Sequence, residues 1–271
     1  MNILDRIILD KKAEVEEKKE LIPVKMLQKS ILFETMPVSM SKYIKRPDKS
    51  GVIAEIKRKS PSKGDINPFI SVEEISIGYM QAGASALSVL TDKKYFGGTN
   101  EDVQIARKFN YCPILRKEFI VDKYQIIEAK SIGADCILLI ASVLSPVEIE
   151  KFTKLAHDLG MEVLLEVHNE EELKANLDSK ADLFGVNNRN LKTFDVDLEN
   201  SISLLSMIPD EKVKIAESGI HRPEDLVYLK NNGFDGFLIG ERFMRYSRPH
   251  EEARKFLSKV KEIETYYATK G

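Results

Sequence analysis

Eight short runs of apolar and β-branched residues punctuate the chain, with longer segments of helical period between them. The runs are VIAEIK (52–57), ALSVLT (86–91), PILRKE (113–118), DCILLIA (135–141), EVLLEV (162–167), LFGVNN (183–188), VKIAES (213–218) and GFLIGE (236–241). Strands that alternate with helices predict a parallel sheet with covering helices. In SPVEIEKFTKLAHDLG, Val147, Phe152, Leu155 and Leu159 recur at helical spacing, and Gly160 supplies a stop. HRPEDLVYLKNNG repeats the pattern, with Pro223 near the helix start and Gly233 beyond its end. Helix-to-strand joins at Gly83, Gly133, Ala181 and Gly233 recur about fifty residues apart, the length of two βα units.

Eight such units in 271 residues favour one closed (β/α)8 TIM barrel over an open doubly wound sheet, and no G-x-G-x-x-G follows the first run. The expected division is a helical extension over residues 1–50 and a barrel over residues 51–271. The extension carries apolar positions at Ile3, Ile7 and Ile8, then Met26, Leu27 and Ile31, and reads as extra helices covering one end of the barrel.

Charge and composition narrow the function. The 41 Lys and Arg nearly cancel the 43 Asp and Glu, which disfavours a generally basic nucleic-acid binder. No apolar run approaches the ~20 residues that cross a bilayer, and the N-terminus mixes acids with its apolar residues. Cys112 and Cys136 form no CxxC or Cys/His cluster, and His157, His168, His221 and His250 show no metal-ligand spacing. The expectation is a cytoplasmic, soluble, monomeric chain with no metal, no membrane contact and no nucleic-acid partner.

Barrel chemistry gathers at the C-terminal ends of the strands, and residues two apart share a face. That rule puts Glu55 and Lys57 with Ile53, Lys117 with Leu115, Glu166 with Leu164, Asn187 and Arg189 with Leu183 and Gly185, and Glu217 with Ile215. One buried ion pair is weak evidence for anything. Five strand ends with Glu, Lys or Asn on the inferred inner face point to an active site. ESGI after the seventh run and LIGE after the eighth place Gly219 and Gly240 where backbone N–H groups can approach an anion, with GERFMRYS as a short extra helix and Lys57 as a nearby point charge.

The segment VIAEIKRKSPSKG (52–64) closely resembles the first-strand signature of the indole-3-glycerol-phosphate synthase family. The resemblance continues in order through LSVLTDKKYFGG, PILRKEF, LLEVHNEEEL, GVNNRNL, IAESGI and FLIGERFM. It implies a cofactor-free carboxy-lyase of tryptophan biosynthesis. Its phosphorylated small-molecule substrate is 1-(2-carboxyphenylamino)-1-deoxyribulose 5-phosphate, and its product is indole-3-glycerol phosphate. The implied catalytic positions are Glu55, Lys57, Lys117, Glu166, Asn187 and Glu217; Ser60, Phe96, Phe119, Arg189 and Leu191 match substrate-lining positions. Ser218, Gly219, Gly240 and Glu241, with Lys57, match the phosphate site. Asn190 stands where the family pattern leads one to expect Asp, and Arg242 and Phe243 stand where smaller residues are common.

Lys117 is expected to act at the ketone oxygen, with Lys57 as acid and Glu55 as base in the dehydration and Glu166 orienting or serving as alternate base. Burial and a second cation push a lysine's pKa down while carboxylates push it up, so three-dimensional placement sets the balance. Three rival readings share parts of this pattern. A Schiff-base aldolase would use Lys117 or Lys57 as nucleophile. A phosphoribosylanthranilate isomerase would be expected to carry Cys and Asp where Lys57 and Asn187 stand. A decayed, non-catalytic barrel would have lost charges at its strand ends, and none is lost here.

Overall fold

The computed structural model describes residues 2–189 and 197–269. Eight strands form the barrel: β1 (Val52–Ile56), β2 (Ala86–Leu90), β3 (Ile114–Lys117), β4 (Cys136–Ile140), β5 (Glu162–Val167), β6 (Leu183–Asn187), β7 (Val213–Glu217) and β8 (Gly236–Ile239). Each lies inside its expected run, trimmed by at most two residues. All neighbouring pairs are parallel, and β1 closes the ring by pairing Val52 with Phe237 of β8 and Ile53 with Ala86 of β2. A two-stranded hairpin, Lys59–Ser60 with Gly64–Asp65, rises from the end of β1. Nothing in the run pattern had marked it, because its strands are too short to show a period.

Period-two alternation sorts the side chains into two cores. Ile53, Leu115, Leu138, Leu164, Leu183, Ile215 and Leu238 fill the barrel interior. Val52, Ala54, Ile56, Ile114, Val163, Leu165 and Val186 face the helices. Local signals set the helix ends. Ser145 and Glu148 form a capping box before Pro146–Asp158, and Pro223 opens Pro223–Asn231. Gly233 follows the latter helix at φ +108°, a conformation that a Cβ would strain.

The face of Pro146–Asp158 differs from the expected one. Ile149, Thr153 and Ala156 are buried, Phe152, Leu155 and Leu159 are half-buried, and Val147 is 58% exposed. Val147 belongs to the first turn, at the edge of the packed layer, so its apolar character does not place it inside. In the extension, Ile7 and Leu27 are buried whereas Ile31 is 87% exposed.

Residues before β1 run the height of the barrel instead of covering one end. The helix Ile3–Leu21 lies at the mouth, where Lys19 pairs with Asp122 at 2.7 Å and Tyr124, in the first turn of Lys123–Ser131, donates to the Ile22 carbonyl at 2.9 Å. The chain then descends that helix, and Ser30 Oγ donates to the Ser131 carbonyl at its far end at 2.6 Å. Further on, Ser39 and Ser41 hydrogen-bond Glu162 at the start of β5, and Met40 and Ile44 enter the interior core from below. One segment therefore touches both the mouth and the floor.

Candidate active site

The strands deliver their last inward residues to a single cavity of about 220 Å3 at the C-terminal mouth. Glu55, Lys57, Lys117, Glu166, Asn187 and Glu217 line it, together with Ser60, Phe96, Phe119, Arg189, Ser218, Gly219, Gly240 and Glu241. Every residue expected at the site is present except Leu191, which lies outside the described residues. Ile3, Leu4 and Ile7 of the first helix close one side of the cavity.

Lys117 is the hub. Its Nζ donates to Glu166 Oε2 at 3.0 Å and to Glu217 Oε2 at 2.6 Å. Burial alone would lower its pKa, but the charges of Glu166, Glu217 and Glu55 outweigh burial and hold the ammonium above lysine's ordinary value. The carboxylates therefore win the balance left open by the sequence. Glu166 shows the mirror image: burial would raise its pKa, and Lys117 and His168 bring it below the usual carboxylate range. Burial pushes Glu217 up to about 7; Lys117 opposes that rise and Glu166 adds to it. Beside this group Lys57 Nζ lies 2.7 Å from Glu55 Oε1.

Two glycines make room for these carboxylates. A Cβ on Gly185 would collide with Glu217 Oε1, and one on Gly240 would collide with the Glu55 carboxyl. Asn187 donates to Glu166 Oε1 at 3.1 Å and accepts the Arg189 N–H at 3.0 Å, so the end of β6 is tied to β5.

The turn after β7 is unusual in its backbone. Ser218 has φ +66° and Gly219 has φ +78°, and Asn188 secures the turn by donating to the carbonyls of Glu217 and Ser218 at 3.0 Å each. At the end of the neighbouring β8, Gly240 is the N-cap of the short helix Glu241–Met244. First-turn N–H groups of a helix lack intrahelical acceptors and suit an anion. On the opposite wall the rings of Phe96 and Phe119 lie 5.9 Å apart at 39°, an apolar surface sized for a planar ring.

Sequence reasoning missed several contributors. His168 stands 3.1 Å from Glu166 Oε1. It follows Glu166 by two residues, so the alternation rule that found Glu166 was enough to find it. Asn188 and the helix Ile3–Leu21 gave no such signal, because their contacts are far apart in the chain.

Comparison with known proteins addresses the family. A family model described as indole-3-glycerol phosphate synthase matches residues 4–256. The chain is 46% identical over 259 residues to an indole-3-glycerol phosphate synthase of Bacteroides thetaiotaomicron, covering 96% of this chain and 99% of that one. It is 44% identical to one from Dechloromonas aromatica, covering 94% and 99% of the two chains. Among solved structures it resembles a tryptophan synthase alpha-subunit variant from Pyrococcus furiosus, with TM-score 0.61, 15% identity, and coverage of 79% of this chain and 98% of that one. A thiamine phosphate pyrophosphorylase from the same organism matches with TM-score 0.59 at 15% identity, covering 82% and 99%. Those two likenesses show the barrel alone. The match over nearly the whole length, on a barrel whose strand ends meet as described, shows that the chain belongs to the indole-3-glycerol phosphate synthase family.

Proposed function

We propose that this cavity converts 1-(2-carboxyphenylamino)-1-deoxyribulose 5-phosphate into indole-3-glycerol phosphate, CO2 and water, a carboxy-lyase step of tryptophan biosynthesis. Family membership carries the reaction. The placement of Lys117 between two carboxylates at the head of an apolar slot supports assigning the chemistry to this cavity.

The phosphate rests on the N–H groups around Ser218, Gly219, Gly240 and Glu241, with Lys57 as the counter-charge, and the aromatic ring occupies the slot of Phe96 and Phe119. Ser60, Arg189 and Asn187 border the remaining polar groups of the substrate. The ring carbon that bears the carboxylate attacks the ketone carbon, and the C=O electron pair moves onto oxygen. Lys117 stabilises that developing charge and then delivers a proton to it. Because carboxylates raise its pKa, Lys117 stays charged until a base as strong as an alkoxide forms. Glu217, nearest to Lys117 Nζ and pushed up to about 7, is suited to return the proton.

Cleavage of the C–CO2 bond returns its electron pair to the ring and restores aromaticity. Lys57 then protonates the departing hydroxyl, and Glu55, at 2.7 Å from Lys57, takes the carbon-bound proton that completes the indole. On this reading residues 51–271 form the catalytic barrel and residues 1–50 its lid and floor. One protomer carries every described group the reaction needs, which supports a monomer. The two buried free cysteines suit a reducing, cytoplasmic setting.

The deciding experiment is steady-state turnover of the carboxyphenylamino-deoxyribulose phosphate, followed by indole fluorescence. Absence of turnover by the purified chain overturns the reading. With turnover in hand, Lys117→Ala is expected to lower kcat on the order of 10²-fold or more. A variant within a few-fold of the parent removes Lys117 from the acid role.

A further inference from the structure

His168 lies just past β5 and points the same way as Glu166, two residues before it. Its Nε2 is 3.1 Å from Glu166 Oε1, and its Nδ1 is 3.1 Å from Glu172 Oε2. The side chain is 9% exposed. Glu172 is itself fixed before it meets the ring: its Oε2 accepts the His168 backbone N–H at 2.9 Å, and its Oε1 accepts Asn169 Nδ2 at 2.9 Å. The ring is therefore held between two carboxylates, one in the cavity and one anchored at the start of the helix Glu170–Lys174.

A neutral imidazole has one N–H and one lone pair. With Nδ1 hydrogen-bonded to the Glu172 carboxylate and Nε2 in close charge contact with Glu166 Oε1 at 3.1 Å, a lone pair on either nitrogen would sit against negative charge, so the geometry calls for a ring with both nitrogens protonated. We infer that His168 is an imidazolium positioning residue that keeps Glu166 ionised and turned so that one oxygen serves Lys117 and the other serves Asn187. The orientation is visible in the contacts: Glu166 Oε2 receives Lys117 at 3.0 Å, and Oε1 is shared by Asn187 at 3.1 Å and His168. Burial would lower the His168 pKa, but Glu166 and Glu172 lift it to about 10.

The inference rests on Glu166 serving the ring-closure reaction, so its test includes the parent chain and Glu166→Gln in the same assay. If the parent does not turn over, the proposed function has failed. If the parent is active and Glu166→Gln is impaired, His168 can be judged separately.

His168→Asn retains a polar group near Glu172 but withdraws the contact to Glu166. It is expected to lower kcat by about 10- to 100-fold while KM moves less than about threefold, because misplacement of a working group acts on the chemical step. His168→Gln restores a donor toward Glu166 without the charge and should fall between Asn and the parent. Glu172→Gln should lower kcat several-fold. Long-range nitrogen–proton NMR on the parent at pH 7.5 should show both His168 ring nitrogens protonated.

A neutral tautomer in that spectrum overturns the inference. So does a His168→Asn variant with unchanged kcat, or one in which only KM rises. Should His168→Asn fail to fold, the parent spectrum and the Glu172→Gln kinetics still decide the matter.

Discussion

Arg116 and Lys117 are adjacent on β3, both cationic and both largely withdrawn from water, yet they do opposite things. Arg116 points outward into the layer between sheet and helices. Its guanidinium donates to Thr91 Oγ1 at 3.2 Å, the Gln125 carbonyl at 2.7 Å, Asn100 Oδ1 at 3.0 Å and Glu128 Oε2 at 2.5 Å. Burial would raise the Glu128 pKa, but Arg116 and Lys18 bring it down to about 2. None of these partners lines the site cavity, and only Thr91 links them to its wall, by donating to Glu118 Oε2 at 2.8 Å. Lys117 points inward, shares two carboxylates and borders the cavity. Buried charge alone does not mark a site; buried charge beside space for a ligand does.

That contrast can be broken or sharpened by experiment, beginning with its largest expected effect. Arg116→Met removes the nearest counter-charge of Glu128 in a dry layer, leaving Lys18 at 3.5 Å and Asn100 at 2.9 Å, and should cost about 3 kcal/mol of stability, read from denaturant unfolding. The folded enzyme that remains should keep its kcat. A stable Arg116→Met protein with lost turnover would move Arg116 into the chemistry.

Glu217 supplies a pH test of the inward side. Its folded pKa of about 7 lies above the ordinary 4.5, so the folded state binds more protons between those values. Its stabilising contribution is complete below about pH 4.5 and is lost as pH rises through about 7, by roughly 3 kcal/mol at most. Glu217→Gln should flatten that part of the stability–pH curve, and an unchanged slope would assign the raised proton affinity elsewhere.

Lys117→Ala, with a loss on the order of 10² in kcat equivalent to about 2.7 kcal/mol in the barrier, also leaves Glu166 and Glu217 without their shared cation, but both border a cavity, so its loss of Tm should be smaller than that of Arg116→Met. A Tm collapse comparable with that of Arg116→Met would erase the distinction between the two residues.

The smallest effect concerns the lid. Lys11 of the first helix is 2% exposed and pairs with Glu14 at 2.8 Å, Asp92 at 2.9 Å and Glu118 at 3.1 Å. It thereby pins Ile3, Leu4 and Ile7 against the cavity. Lys11→Met takes the counter-charge from the buried Asp92 and Glu118 and so also lowers Tm; in the folded enzyme it should raise KM by roughly three- to tenfold, about 1 kcal/mol of binding. Limited proteolysis should cut the loosened helix first. An unaltered KM would make the helix only a cover.

Most of the strand-end residues were legible because their placement depends on a period of two within one strand. Glu55, Lys117, Glu166, Asn187 and Glu217 all follow from counting back to an apolar neighbour. His168 is equally legible by that count, two residues beyond Glu166 on the same face. The outward face of Pro146–Asp158 was read less well, since a helix has several apolar positions and its neighbours choose which are covered. Lys11 gave no warning at all: its partners Asp92 and Glu118 are about 80 and 107 residues away, and a lysine in an amphipathic helix ordinarily faces water.

The amino-acid sequence by itself determined the eight βα units, which strand residues face inward, and the kind of chemistry they can perform, because these follow from local periodicity and local side-chain type. Only the tertiary structure decided which charges meet. It set Lys117 against two carboxylates so that attraction outweighed desolvation, closed His168 between Glu166 and Glu172, and carried one N-terminal segment from the mouth of the barrel to its floor. Electrostatic balance depends on distances of a few ångströms between groups remote in sequence, and those distances exist only once the ring of strands has closed.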